Sequence, residues 1–305
     1  MPLPIPPGLE AQRRLGPPWA GWLDRLPRLA EELVDGWALT LDGAPTHGFC
    51  SLVVPVRTAG GRPAMLKVGL LDDESEHEHL ALQRWGGNGA VKLLRADPHR
   101  GALLLERLHR EDLTELWDIE ACEIVAGLYA AIHVPALPQL RTVTSYVERW
   151  TDALQRMPRN APIPRRLAEQ ATALARDLIS DDASTGTMIH GDLHYENVLA
   201  ADREPWLAID PKPMSGDPHF EPAPLLWNRW DELEGDIRGG VRRRFHAVID
   251  AAGLDEDRAR DWVIVRMVLN AHWSVEDARR AERALDAEEQ AWITRCIAIA
   301  KAVQE

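Results

Sequence analysis

His190-Gly191-Asp192-Leu193-His194-Tyr195-Glu196-Asn197, followed thirteen residues after Asn197 by Ile209-Asp210, is the stretch on which the assignment of fold turns. An aspartate and an asparagine five positions apart, then a second aspartate closing a short apolar run, is an arrangement that kinases use for phosphoryl transfer to a hydroxyl group. The acceptor hydroxyl has to be oriented and relieved of its proton, and Asp192 is the candidate base. A Mg²⁺ ion bridging phosphates takes hard oxygen ligands, and Asn197 and Asp210 are the candidates to supply them. Each residue alone would be an ordinary cap or surface group, but the ordered set is hard to meet by chance.

Three longer runs carry a resemblance: HGDLHYENVL (190–199), LAIDPKPMSGDPHFEPAPLLWN (207–228) and GAVKLLRADPHRGALLLERL (89–108). The chain resembles the aminoglycoside phosphotransferases and related antibiotic kinases, whose loop reads HGDxxxxN where protein kinases have HRDxxxxN. Gly191 takes the place of that arginine, and Asp210-Pro211-Lys212 stands where a protein kinase has Asp-Phe-Gly. The similarity spans roughly residues 48–228 and is nearest to the branch of streptomycin 6-kinases and hydroxyurea kinases. It implies a two-lobed, protein-kinase-like α+β fold and a cytoplasmic resistance enzyme using ATP and Mg²⁺. Streptomycin, phosphorylated at its 6-hydroxyl, is the acceptor so implied. Hydroxyurea or another small hydroxylated metabolite would use the same catalytic residues, and the motif does not choose among them.

The upstream residues extend the resemblance. Lys67, the one cation in the apolar run Ala64-Met65-Leu66-Lys67-Val68, is similar to the strand lysine that contacts nucleotide phosphates. Its carboxylate partner comes from Glu74, Glu76 or Glu78. Glu78 fits the family pattern, and a slip to Glu76 stays open. The phosphate-covering loop is Thr46-His47-Gly48-Phe49-Cys50-Ser51, where Gly48 is the lone glycine and Ser51 could add a hydroxyl to the backbone amides. Glu106-Arg107-Leu108 resembles the segment whose backbone reads the adenine edge, so Glu106 and Leu108 are assigned there.

Trp227, Trp230, Asp231, Glu232, Glu234 and Asp236 form an aromatic and acidic cluster downstream of Asp210. Carboxylates pair with guanidinium groups in bidentate fashion, so Trp230, Asp231 and Glu232 are candidates for a cationic acceptor, with His194 as a further contact. The bland alternative is a solvated helix over buried tryptophans. His190 is read as a brace of the catalytic loop. His77 and His79, two apart on an expected helix, do not face one another and make no ligand pair.

Elsewhere the pattern is β-rich first and helical later. Trp22, Leu23, Leu26, Leu29, Ala30, Leu33 and Val34 recur at helical spacing. Residues 50–57 and 63–70 flank a turn at 58–62, and residues 91–96 and 102–107 flank Asp97-Pro98-His99-Arg100-Gly101, giving two hairpins. A helix is expected over 73–85. Another follows Asp112, burying Leu116, Trp117, Ile124, Val125, Leu128 and Ile132. Residues 187–189 and 206–209 read as two strands of a small hairpin around the motif, and 165–179, 262–273 and 291–303 as helices. The division expected is an N-terminal lobe over 1–108, with leading helix and nucleotide-binding sheet, and a helical lobe over 109–305 with the catalytic loop and substrate site.

Composition bounds the alternatives. With 305 residues, 45% of them hydrophobic, the chain can bury a large core. A net charge of −13 argues against a nucleic-acid partner and suits a small cationic one. Cys50, Cys122 and Cys296 stand singly, without zinc-site or disulfide spacing. The proline-rich start lacks a signal peptide's basic and apolar regions, and no apolar stretch reaches membrane-spanning length, so neither export nor a membrane is expected. A metallophosphoesterase, suggested by Gly191-Asp192-Leu193-His194, would need more His and Asp ligands than the sequence groups together.

Overall fold

The two apolar runs 50–57 and 63–70 form antiparallel strands, Ser51–Arg57 and Pro63–Gly69, with Val53 opposite Lys67 and Val56 opposite Ala64. Side chains alternate along a strand, so Leu52, Val54, Val56, Ala64, Leu66 and Val68, all fully buried, lie on one face while Lys67 points to the other. The computed structural model describes residues 3–158 and 160–304. The chain divides into two compact units: one is the chain up to Arg110 together with Ala200–Lys212, the other Glu111–Leu199 and the chain from Pro213 onward.

In the first unit the sheet runs Thr40–Leu41, Ser51–Arg57, Pro63–Gly69, Ala102–Glu106, Leu93–Asp97, with Thr46–His47 also paired to Ser51–Arg57. The helix Pro17–Gly36 covers the apolar face, burying Trp22, Leu23, Leu26, Ala30 and Leu33 at the expected spacing. The helix expected over 73–85 starts only at Glu78 and ends at Gly86, whose φ of 60° suits a glycine cap. Its first turn is lost because the Asp72 carboxylate accepts from the N–H groups of Glu74 and Ser75, closing a side-chain turn that competes with helix.

In the second unit Thr187–Ile189 is the middle strand of a small sheet between Val134–Pro135 and Met214–Gly216. The expected hairpin of 187–189 with 206–209 is therefore not formed, since Trp206–Ala208 belongs to the first unit, where Ala208 bridges Ala90 in parallel. Gly216 gives a physical reason: a Cβ there would lie 2.6 Å from both Ile189 Cδ1 and Val143 Cγ2, so its bare backbone fits against that strand. Asp112 caps only the short turn Leu113–Glu115, and the α-helix Asp118–Ile132 begins later, leaving Trp117 69% exposed instead of buried. The core is built on Glu256–Arg280, buried from Trp262 through Leu269, together with Arg165–Ile179, Ile237–Ala252 and Ala287–Ala302. Among the described residues no helix is long and apolar enough to cross a membrane.

Candidate active site

Lys67 is buried, and its Nζ donates to both oxygens of Glu78 at 2.7 Å and to the carboxylate of Asp210. Of the three candidate acids, Glu78 is thus the one that meets the lysine. Burial weakens the hold of Lys67 on its proton, but Asp210 and Glu78 outweigh it and keep the ammonium charged. Burial lifts the Glu78 carboxyl above its ordinary range, and the Lys67 charge takes back only part of that rise. Asp210 is non-glycine with φ of 55°, a left-handed conformation to which the chain bends for one residue and which commonly marks functional positions.

These residues line a cavity of about 200 Å³ with Trp19, Phe49, Ser51, Asp72 and Lys212 among its walls. Gly48, Glu106 and Leu108 are outside that lining. The Glu106 side chain accepts from Lys92 N–H at 2.7 Å and from the Arg203 guanidinium at 2.8 Å, and its own N–H donates to Lys92 O. Arg107 donates to Asp42 at 2.7 Å. Side chains at 106 and 107 therefore fix the segment, which the sequence alone did not indicate. The Cys50 thiol is pushed up to about 11, by burial first and Asp210 second, so it stays protonated beside the lysine.

In the second unit the chain leaves Ile189 and turns sharply at Gly191, whose φ is 82°. Two residues that sequence reasoning missed hold this turn. Glu221, fully buried, accepts from the N–H of His190 and, at 3.4 Å, of Gly191, while Arg266 donates to Gly191 O and, at 3.0 Å, to Phe220 O. A lone arginine inside the apolar run 262–269 was the legible signal for Arg266. Asp192 N–H donates to His190 Nδ1 at 3.3 Å, so His190 does brace the loop. Asn197 Nδ2 donates to Asp192 O at 2.8 Å and contacts His194 Nε2 at 3.1 Å, which gives His194 a place within the loop.

This orientation commits the Asn197 nitrogen to the protein and leaves Oδ1 as its ligand-type atom, and Asp210 presents a carboxylate, so each residue fits a hard divalent cation in donor chemistry. Among the described residues no group of three or more His, Cys, Asp or Glu is gathered for a metal.

Downstream, Asp217 is buried and accepts from Trp262 Nε1 at 2.7 Å, Arg258 Nε at 2.6 Å and the His219 ring and backbone. Burial would raise its carboxyl, and the hydrogen bonds from His219 and Trp262 reverse that, holding it below the ordinary range. A depressed folded value gives stability that is full above the unfolded value of about 4 and is lost as pH falls through the folded one. Asp217→Asn is expected to cost about 3 kcal/mol at pH 7 in urea unfolding, and the gap to the parent should narrow as pH drops below 4.

The acidic cluster is less open than its sequence suggests. Glu232 pairs with Arg229 at 2.7 Å and with the fully buried Arg244 at 3.5 Å. Arg295 lies over the Trp230 ring at 5.1 Å. Trp227, Trp230, Asp231 and Glu232 border a surface depression of about 370 Å³, and Asp231 is exposed there.

The family model for aminoglycoside/hydroxyurea antibiotic resistance kinases matches residues 36–278. Streptomycin 6-kinase of Streptomyces glaucescens is 39% identical over 289 residues, which are 92% of each chain. Hydroxyurea phosphotransferase of Kitasatospora aureofaciens is 38% identical over 276 residues, 85% of this chain and 76% of that one. A thermostable aminoglycoside phosphotransferase variant, solved with ADP and hygromycin B, aligns with a TM-score of 0.57 at 17% identity over 89% of this chain and 97% of its own, a likeness of fold. Fold and matched sequence define a phosphotransferase of protein-kinase-like α+β architecture. The chain belongs to the aminoglycoside/hydroxyurea antibiotic resistance kinase family.

Proposed function

We propose that the protein transfers the γ-phosphoryl group of ATP to the 6-hydroxyl of streptomycin, inactivating the drug in the cytoplasm, where ATP is at hand. The observation that supports this most is the Lys67 ammonium, kept charged by Glu78 and Asp210 at the wall of a cavity. Such a cation neutralises phosphate charge without a proton changing hands. In this reading Lys67 binds the α- and β-phosphates, Ser51 and the backbone around Gly48 cap them, and the 106–108 segment meets the adenine. Asp192 accepts the proton of the acceptor hydroxyl as the P–O bond forms, and ADP leaves. Asn197 and Asp210 would hold Mg²⁺, which supplies charge neutralisation on the phosphates when bound.

The family and the relative in Streptomyces glaucescens support streptomycin, and the relative in Kitasatospora aureofaciens supports hydroxyurea as the second reading. A coupled ADP-release assay with Mg²⁺ over streptomycin, hydroxyurea, hygromycin B and no acceptor separates them. Streptomycin is expected to give the highest kcat/KM. Turnover confined to hydroxyurea would transfer the assignment, and phosphate release without acceptor, dependent on Mn²⁺, would point to a phosphoesterase. For the acceptor itself, Trp230 and the exposed Asp231 are the proposed contacts, with His194 as a further one. Glu232 contributes less because two arginines already neutralise it. Asp231→Ala should raise the streptomycin KM severalfold and leave the ATP KM unchanged.

A further inference from the structure

A loop that covers phosphates usually needs several glycines, because backbone amides must approach the anion closely. Between residues 46 and 51 this chain has only Gly48. Inside the loop, Gly48 N–H donates to Ser51 O at 3.0 Å and the His47 ring meets Gly48 O at 3.0 Å. Strand pairing holds the loop's ends, Thr46 opposite Val53 and His47 opposite Leu52, and Cys50 O accepts from Leu70 N–H at 2.9 Å. Further restraint comes from the N-terminal helices, which lie almost wholly ahead of the stretch matched by the family model.

Two contacts reach the loop from there. The His47 ring lies against the backbone of Gly8, so closely that a Cβ on Gly8 would sit 2.4 Å from Nε2. Trp19 meets the Phe49 ring edge-on, at 5.7 Å between centroids and 81° between planes. Trp19 rests in turn on Trp22, at 6.1 Å and 84°, and Trp22 is 5% exposed within the core shared with Leu52 and Val54. A path of ring contacts thus runs from the sheet core to Phe49, which remains 66% exposed. Trp19, Phe49, Ser51 and Lys67 all line the same cavity.

We propose that Trp19 is a positioning residue for nucleotide binding: with Gly8 it clamps the 46–51 loop from outside, replacing the restraint a glycine-rich sequence would obtain from its own backbone. The proposal rests on the nucleotide reading of the Lys67 cavity. An edge-to-face pair of this kind, lost, lowers the equilibrium constant for ordering the loop by roughly three- to tenfold.

Isothermal titration of ATP·Mg²⁺ into the full-length protein tests it without knowledge of the acceptor. Trp19→Ala is expected to weaken ATP binding about three- to tenfold, Trp19→Phe to restore most of it, and Trp19→Ala/Phe49→Ala to be no weaker than the single variant. Gly8→Ala, which presses on His47 without touching Trp19, should weaken ATP binding as well. ATP affinity unchanged in Trp19→Ala would overturn the proposal, as would a fall in affinity that tracks the melting midpoint and is not rescued by Phe. Lys67→Met in parallel isolates the premise: if it leaves ATP affinity intact, the cavity reading fails, whereas its loss of binding beside an unaffected Trp19→Ala refutes the clamp alone.

Discussion

Asp192→Asn is expected to lower turnover by about 10²- to 10⁴-fold while leaving ATP affinity within twofold, as measured by ADP release and by titration. The substitution leaves two bonds of the loop in place, because Asn197 bonds the backbone carbonyl of residue 192 and His190 its N–H, neither of which changes. What disappears is the capacity to accept a proton from the acceptor hydroxyl. Full turnover in this variant would remove Asp192 from the role of base. A loss accompanied by a lower melting midpoint would instead indicate a loop held through the carboxylate.

Lys67→Met is expected to abolish turnover and to destabilise the protein by about 3–5 kcal/mol in urea unfolding, because Glu78 and Asp210 lose the cation between them. The energetic argument is separable from the catalytic one. Adding Glu78→Gln to Lys67→Met removes one uncompensated carboxylate at a site 5% exposed, so stability should recover in part. Turnover should not recover, since no cation remains to meet the phosphates. A double variant as unstable as the single one would show that the destabilisation comes from lost packing of the lysine stem.

The chemistry was legible because phosphoryl transfer fixes both residue types and spacing. Lys67 could be picked out as a cation in an apolar strand, and strand alternation turns it away from the buried face. Glu78 needed the structure, since the choice among three alternating acids depends on where the helix starts, and the Asp72 side-chain turn sets that start. The partners of 187–189 were hidden because a three-residue apolar run says nothing about its neighbour. A steric fact about Gly216 helps decide it. The pairing of Glu232 was not legible in the sequence because one of its two arginines, Arg244, lies fully buried in the helix Ile237–Ala252. Glu221 escaped notice for a related reason: a single buried acid looks, in sequence, like any solvated one.

The sheet-bearing unit is discontinuous along the gene, since it needs Ala200–Lys212 as well as the first 110 residues. A fragment truncated after Arg110 would lack Asp210, Arg203 and the edge contact of Ala208, leaving Lys67 with one carboxylate and Glu106 without its arginine. Chimeras with a relative therefore require two coordinated exchange points rather than one crossover, and a split-protein reporter cut at residue 110 would begin with an incomplete half.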